Sequence, residues 1–245
     1  LQLGKDDKIW SPLPLFHIGG ILPMLAIFDV GGAYVTMGHF DPGVSLQLLQ
    51  QHRVTMVFCP FVTFLQALLY HPDFKNTDLS SVRLMNSCFA AQPKSVGDAF
   101  REPMPHTLQL GTFGMTEAAG FVSTGHWGMD PELGFTRLGL PLIGQEVRII
   151  NPETGRDLPP GEHGEVLVRG YNLLEGYYRD PVKTAAALDA DGWFHTGDIG
   201  SLDANGHLMF HGRFKDMLKV GGENVAAAEI ESLLARHPAV KLAQV

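Results

Sequence analysis

Apolar and polar positions follow two different rhythms along the 245-residue chain. In the first half, helical spacing alternates with short apolar runs. Gly20–Phe28 predicts a helix and Ala33–Met37 a strand. Pro42–Gln51 carries Val44 and Leu48 at helical spacing, with Leu49 alongside, and the β-branched run Val54–Cys59 follows. Phe61–Tyr70 predicts a helix, Val82–Asn86 a strand, and Pro93–Arg101 a helix whose Pro stands in the first turn. Thr107–Leu110 predicts a strand, and Met115–Ala119 opens a further helical segment. Strand and helix in alternation predict an α/β layer built on a largely parallel sheet. From about Leu138 the rhythm shortens. Glu146–Ile150, Gly164–Arg169, Ile199–Leu202 and Leu208–His211 predict short strands separated by turns such as Asn151–Gly155 and Asp203–Gly206. This is the pattern of a small antiparallel β unit of barrel type. A hairpin over Met217–Val225, a helix over Ala227–Arg236 and a strand begun at Ala239 complete the chain.

Composition narrows the picture. With 45% hydrophobic residues the chain can bury a substantial core. A net charge of −8 argues against duplex nucleic acid as a partner. Cys59 and Cys88 show no CxxC or metal-ligand spacing, which points to a reduced, cytoplasmic setting. None of the 11 histidines forms an HExxH or HxH pattern. The most apolar stretch, Ile18–Phe28, ends at Asp29 and is too short to span a bilayer. No signal peptide is recognisable. The chain neither begins with Met nor ends at a natural cap, and it reads as part of something longer. Nothing in the sequence fixes an oligomeric state.

Three places carry candidate chemistry. Ser87–Ala91 and Gly111–Glu117 each follow a predicted strand, where open parallel sheets bind ligands among unpaired backbone groups. The second offers glycine for close approach, the Phe113 ring, the Thr116 hydroxyl and the Glu117 carboxylate. These suit a base, a phosphate and a Mg²⁺ ion. A turn with Thr116 and Glu117 as helix caps explains the same residues about as well. The third place is the run from Gly192 to Ser232. There Asp198 sits in a Gly-flanked turn, Arg213 and Lys215 follow a strand-like Leu208–Phe210, and Gly221 and Gly222 open another turn. An acid, two bases and backbone-exposing glycines in that order suit a diol-and-phosphate ligand.

The segments GTFGMTE, GWFHTGD and GRFKDMLKVGGENVAAAEIE, with PLPLFHIGG near the start, resemble the adenylate-forming superfamily, and within it the acyl-CoA synthetases or acid–CoA ligases. The likeness runs from Pro12 to the last residue. It implies three parts: the α/β portion of the large AMP-binding domain over 1–137, its β-barrel subdomain over 138–212, and over 213–245 a hinge and the start of a small mobile α+β domain.

The resemblance also implies roles. Phe113 stands where the family has a Tyr whose ring stacks on adenine, and it belongs to a nucleotide-binding set with Ala90, Ala91, Gly111, Thr112 and Gly114. Thr116 would bond the α-phosphate and Glu117 would hold Mg²⁺. Asp198 would accept the ribose hydroxyls, with Arg213 fixing ribose and phosphate. Lys215 falls on the hinge, Lys219 is a catalytic candidate, and Gly221 and Gly222 fit the coenzyme A tunnel. His17, Phe89 and Met115 would line the acid pocket, with Phe16 and Phe61 nearby.

Each role has a plainer competitor: Asp198 as a type I turn residue, Arg213 and Lys215 as a solvated face, His17 as a pocket-wall histidine, Phe113 as core packing. The chain departs from the family pattern at Ser87–Pro93, where Phe89 stands in place of a small residue and would crowd the adenine edge or the acid pocket.

By the same resemblance the parent protein joins a fatty or aryl carboxylic acid to MgATP, then transfers the acyl group from acyl-AMP to coenzyme A. The Lys-bearing phosphate loop is expected upstream of Leu1 and a late catalytic lysine beyond Val245, so residues 1–245 alone are expected to form adenylate poorly. Two alternatives stay open: loading of a carrier-protein thiol, and a non-catalytic nucleotide-binding module.

Overall fold

The computed structural model describes the chain apart from residues 60, 89–93, 221–222, 235–236, 238–239, 241–242 and 244. Element order is β1 (Lys8–Trp10), α1 (Ile18–Asp29), β2 (Ala33–Val35), α2 (Pro42–Gln51), β3 (Met56–Phe58), α3 (Val62–Leu69), β4 (Leu84–Cys88), α4 (Lys94–Arg101), β5 (Leu108–Met115), β6 (Gly120–Thr124) and β7 (Leu140–Pro141). These strands make one seven-stranded sheet in the order β2-β1-β3-β4-β5-β6-β7. From β2 to β5 every pairing is parallel, and β6 and β7 add antiparallel strands at one side. The expected α/β layer is present, and β7 carries its sheet as far as Pro141.

Period-2 alternation decides what each strand buries. Ile9, Met56, Phe58, Leu84 and Leu110 face α1 and pack with its Ile27. Their neighbours Trp10, Val57 and Met85 face the other way, into a larger core with Leu46 and Leu49 of α2, Leu65 and Leu68 of α3, and Val96 and Phe100 of α4. Helix starts follow local chemistry. The Asp41 carboxylate accepts from Val44 N at 2.8 Å, with Pro42 in the first turn of α2.

The antiparallel unit consists of β8 (Gln145–Ile150), β9 (Gly164–Gly170), β10 (Phe194–Leu202) and β11 (Leu208–Arg213), with α5 (Pro181–Ala187) between β9 and β10. Its four strands are ordered β11-β10-β9-β8. An apolar cluster of Phe113, Val122, Ile149, Val166, Val168 and Phe194 joins the two sheets. The chain closes with the hairpin β12 (Met217–Val220) and β13 (Glu223–Ala226) and helix α6 (Ala227–Leu234). The expected strand from Ala239 falls largely outside the described residues.

Three expectations are revised. β5 does not stop at Leu110 but continues through Met115, so most of the expected ligand loop is strand. Thr116–Ala118 form a single 3₁₀ turn rather than a longer helix, because Ala119 turns left-handed (φ 50°) and the chain returns at once as β6. β1, β6, β7 and α5 were not anticipated. α5 is nonetheless signalled by Asp180 capping Lys183 N at 2.9 Å and by Pro181 in its first turn.

Candidate nucleotide cleft

At the junction of the two sheets lies a cleft of about 440 Å³. Its walls include Met115 and Glu117 from the end of β5 and its turn, Tyr177, and Phe194 and Asp198 from β10. Arg213 and Lys215 close it.

Asp198 owes its position to a bulge. β10 slips register against β9 between His195 and Ile199, which forces Thr196–Asp198 out of the ladder. Gly197 adopts φ 69° there, a conformation a side chain would resist. Polar contacts pin the bulge: Thr196 Oγ1 donates to the Val166 carbonyl at 2.7 Å and accepts from Asp198 N at 3.0 Å. His195 Nδ1 lies 3.1 Å from Glu165 Oε2, and Gly197 N donates to Glu165 Oε1 at 3.3 Å.

Asp198 stands directly opposite Arg213 in the β10–β11 ladder. Arg213 Nε donates to Asp198 Oδ1 at 2.9 Å. The carboxylate is only 4% exposed, whereas Arg213 reaches into solvent. Burial, which disfavours the charged form, pushes the Asp198 pKa up to about 6, against the opposing pull of the guanidinium. An ionised carboxyl held by one cation retains lone pairs for two neighbouring hydroxyls.

Glu117 occupies the 3₁₀ turn. Its carbonyl accepts from Leu174 N at 2.8 Å, and its Oε1 accepts from the Tyr177 hydroxyl at 3.0 Å. Burial and the neighbouring Glu117 raise the Tyr177 phenol above its ordinary range. Sequence reasoning missed Tyr177; the only hint is an aromatic pair just before the Asp-Pro start of α5. Among the described residues no group of three potential metal ligands exists. A Mg²⁺ ion carried on phosphates, needing one or two carboxylates from the protein, is nevertheless compatible with Glu117.

The structure thus brings Met115, Glu117, Asp198, Arg213 and Lys215 to one cleft. Thr116 is exposed in the same turn as Glu117. Other expected site residues sit elsewhere. Phe113 is 5% exposed and packed in the inter-sheet cluster, because it shares a face of β5 with Met115 but lies one pleat deeper. The glycines at 111 and 114 leave room for the chain itself. A Cβ at Gly111 would strike the Arg137 carbonyl, and one at Gly114 the Gly120 carbonyl. Thr112 is buried, its hydroxyl accepting from Asn86 Nδ2 at 2.7 Å and lying 2.9 Å from Thr124 Oγ1.

His17 caps α1, its Nδ1 accepting from Gly19 N at 3.0 Å. Phe16 is 90% exposed, and Phe61 meets Phe64 edge-on; neither lines this cleft. Lys219 lies on β12 opposite Asn224. Phe89, Ala90, Ala91, Gly221 and Gly222 lie outside the described residues.

Comparison with known proteins agrees with the geometry. Residues 1–178 match the model of the family described as AMP-binding enzyme. The chain is 35% identical over 243 residues to 4-coumarate–CoA ligase 4 of Arabidopsis thaliana, covering 98% of this chain and 42% of that protein. ATP-bound MatB from Rhodopseudomonas palustris superposes with a TM-score of 0.86 at 31% identity, covering 97% of this chain and 46% of the other. The anthranilate CoA ligase AuaEII, in complex with anthranoyl-AMP, gives a TM-score of 0.86 at 29% identity, covering 99% and 46% respectively. The chain spans less than half the length of these relatives. A family match over residues 1–178, an α/β layer joined to an antiparallel sheet, and an acid–base cleft at their junction converge on one assignment: the chain belongs to the AMP-binding enzyme family.

Proposed function

We propose that the chain is the nucleotide-binding part of an acid–CoA ligase, which activates a carboxylic acid as acyl-AMP and transfers it to coenzyme A. The observation that carries this reading is the meeting of Glu117, Asp198 and Arg213 in one cleft. Asp198 accepts the ribose hydroxyls, and Arg213, already bonded to it, steadies the sugar and its phosphate. Thr116 donates to the α-phosphate from the exposed start of the turn. Glu117 would hold Mg²⁺, which when bound neutralises phosphate charge. A free carboxylate is a poor electrophile; its oxygen attacks the α-phosphorus of ATP, pyrophosphate leaves, and the resulting acyl–AMP anhydride carries AMP as a good leaving group for the coenzyme A thiol. Lys215, at the exit from β11, is the point where the following segment turns between half-reactions. Met115 at the cleft wall meets the acid, and a fatty or aryl acid suits that apolar side. Similarity to a 4-coumarate and an anthranilate CoA ligase supports an aryl acid in particular.

The test is acid-dependent pyrophosphate release by the complete enzyme across acids of graded length and aromaticity. Coenzyme A and a phosphopantetheinylated carrier protein are compared as acceptors. Turnover with an acid and coenzyme A is the expected result. Turnover only with the carrier would reassign the acceptor, and AMP binding without pyrophosphate release from any acid would overturn the activity.

A further inference from the structure

Glu117 is clasped twice by one segment of chain. Leu174 N–H holds its carbonyl at 2.8 Å, and the Tyr177 hydroxyl holds its carboxylate at 3.0 Å. That segment, running from the end of β9 to the start of α5, is itself firmly set. The Asn172 amide donates to the carbonyls of Ala118 and Phe121 at 2.6 and 3.2 Å. Tyr177 N–H donates to Thr184 Oγ1 at 2.9 Å, and Lys183 Nζ lies 4.0 Å from the centre of the Tyr177 ring. The backbone bonds fix where the turn sits. Among the described residues, it is the phenol that fixes where the carboxylate points.

We infer that Tyr177 is a positioning residue that aims Glu117 at a divalent cation carried by the nucleotide phosphates. The inference rests on reading the cleft as a nucleotide site. The chemistry of the donor is what matters. A phenol gives a single hydrogen bond and adds no charge, so the carboxylate is oriented while its negative charge stays unanswered. Asp198 is treated in the opposite way, its charge met by Arg213 at 2.9 Å. Among the described residues Glu117 has no ion-pair partner, which leaves it the cleft's carboxylate for a metal. Tyr177 acts through Glu117 and need not touch the nucleotide.

The experiment is calorimetric titration of the complete enzyme with AMP in the presence of a chelator, then with ATP over a range of Mg²⁺ concentrations. Loss of one hydrogen bond of this kind predicts that Tyr177→Phe, which keeps the ring packing, raises the Mg²⁺ concentration for half-maximal ATP binding about three- to tenfold. Metal-free AMP binding is expected to change by less than that factor. Glu117→Gln removes the metal dependence, and adding Tyr177→Phe to it produces no further shift. An unchanged Mg²⁺ requirement in Tyr177→Phe, with wild-type ATP binding intact, overturns this role alone. An equal loss of AMP and ATP binding overturns it too, by showing a merely structural effect. A wild-type enzyme that binds neither nucleotide overturns the nucleotide reading together with it.

Discussion

Asp198 combines deep burial with a charge that the proposed chemistry needs. Its pKa of about 6 lies above the ordinary 3.8, so the ionised form is disfavoured by folding. That penalty is full above pH 6 and gone below about pH 4. Ligand binding has the opposite sign, because only the ionised carboxylate can accept both hydroxyls of a diol. AMP affinity, measured by calorimetry without metal, is therefore expected to fall as pH drops through about 6. Asp198→Asn should weaken AMP binding at least about tenfold, the scale of a hydrogen bond to a charged group. The same substitution should stabilise the chain at pH 8 by up to about 3 kcal/mol in urea denaturation, with the gain shrinking towards pH 4. Gly114 makes a contrasting case. Its lack of a side chain serves the return of β6, since a Cβ would collide with the Gly120 carbonyl. Gly114→Ala is expected to cost more than about 2 kcal/mol by the same measurement, since backbone must move.

At the scale of elements, β3 and β4 were legible as short apolar runs whose alternate residues pack on opposite faces, as Met56/Val57 and Leu84/Met85 show, whereas β1 with its three residues was too short to read. The acid and base at 198 and 213 were legible because their motifs are rich in unusual residues. What could not be read was geometry that depends on distant partners. The continuation of β5 through Phe113 is fixed by pairing with β6, and the role of Gly111 is fixed by Arg137. Tyr177 gains meaning only when the 171–178 segment folds over Glu117. β11 adds another long-range effect. His211 lies in stacked contact with His163, ring centres 3.7 Å apart, and its Nε2 is 2.8 Å from Ser201 Oγ. Burial first, then the facing His163 and Arg137, lower its pKa to about 4. The neutral ring therefore stabilises the sheet above pH 6.5, and this contribution is lost as pH falls towards 4. Thermal melts of His211→Gln should show a flatter acid limb than wild type over that range.

For the whole molecule these two groups compete. Between pH 4 and 6.5, acidification relieves Asp198 and penalises His211, so the chain's net pH response is their difference and the single variants separate the two. Another whole-molecule feature is asymmetric cover. Among the described residues, helices α2, α3 and α4 pack on one face of the parallel sheet, whereas α1 is the one helix on the other, with Leu25 and Phe28 more than half exposed. Parallel sheets are normally covered on both faces, and an apolar helix is normally buried. Residues 1–245 on their own are expected to self-associate through this face, and Leu25→Glu with Phe28→Lys should shift light scattering towards the monomer.

The Asp198–Arg213 rung is the last of its ladder, after which the polypeptide leaves the sheet through the 3₁₀ turn at Phe214–Asp216. A guest that grasps Asp198 thus touches the rung from which the downstream segment departs. Filling the cleft is therefore expected to tighten the mooring of the departing strand, and loosening that mooring to empty the cleft.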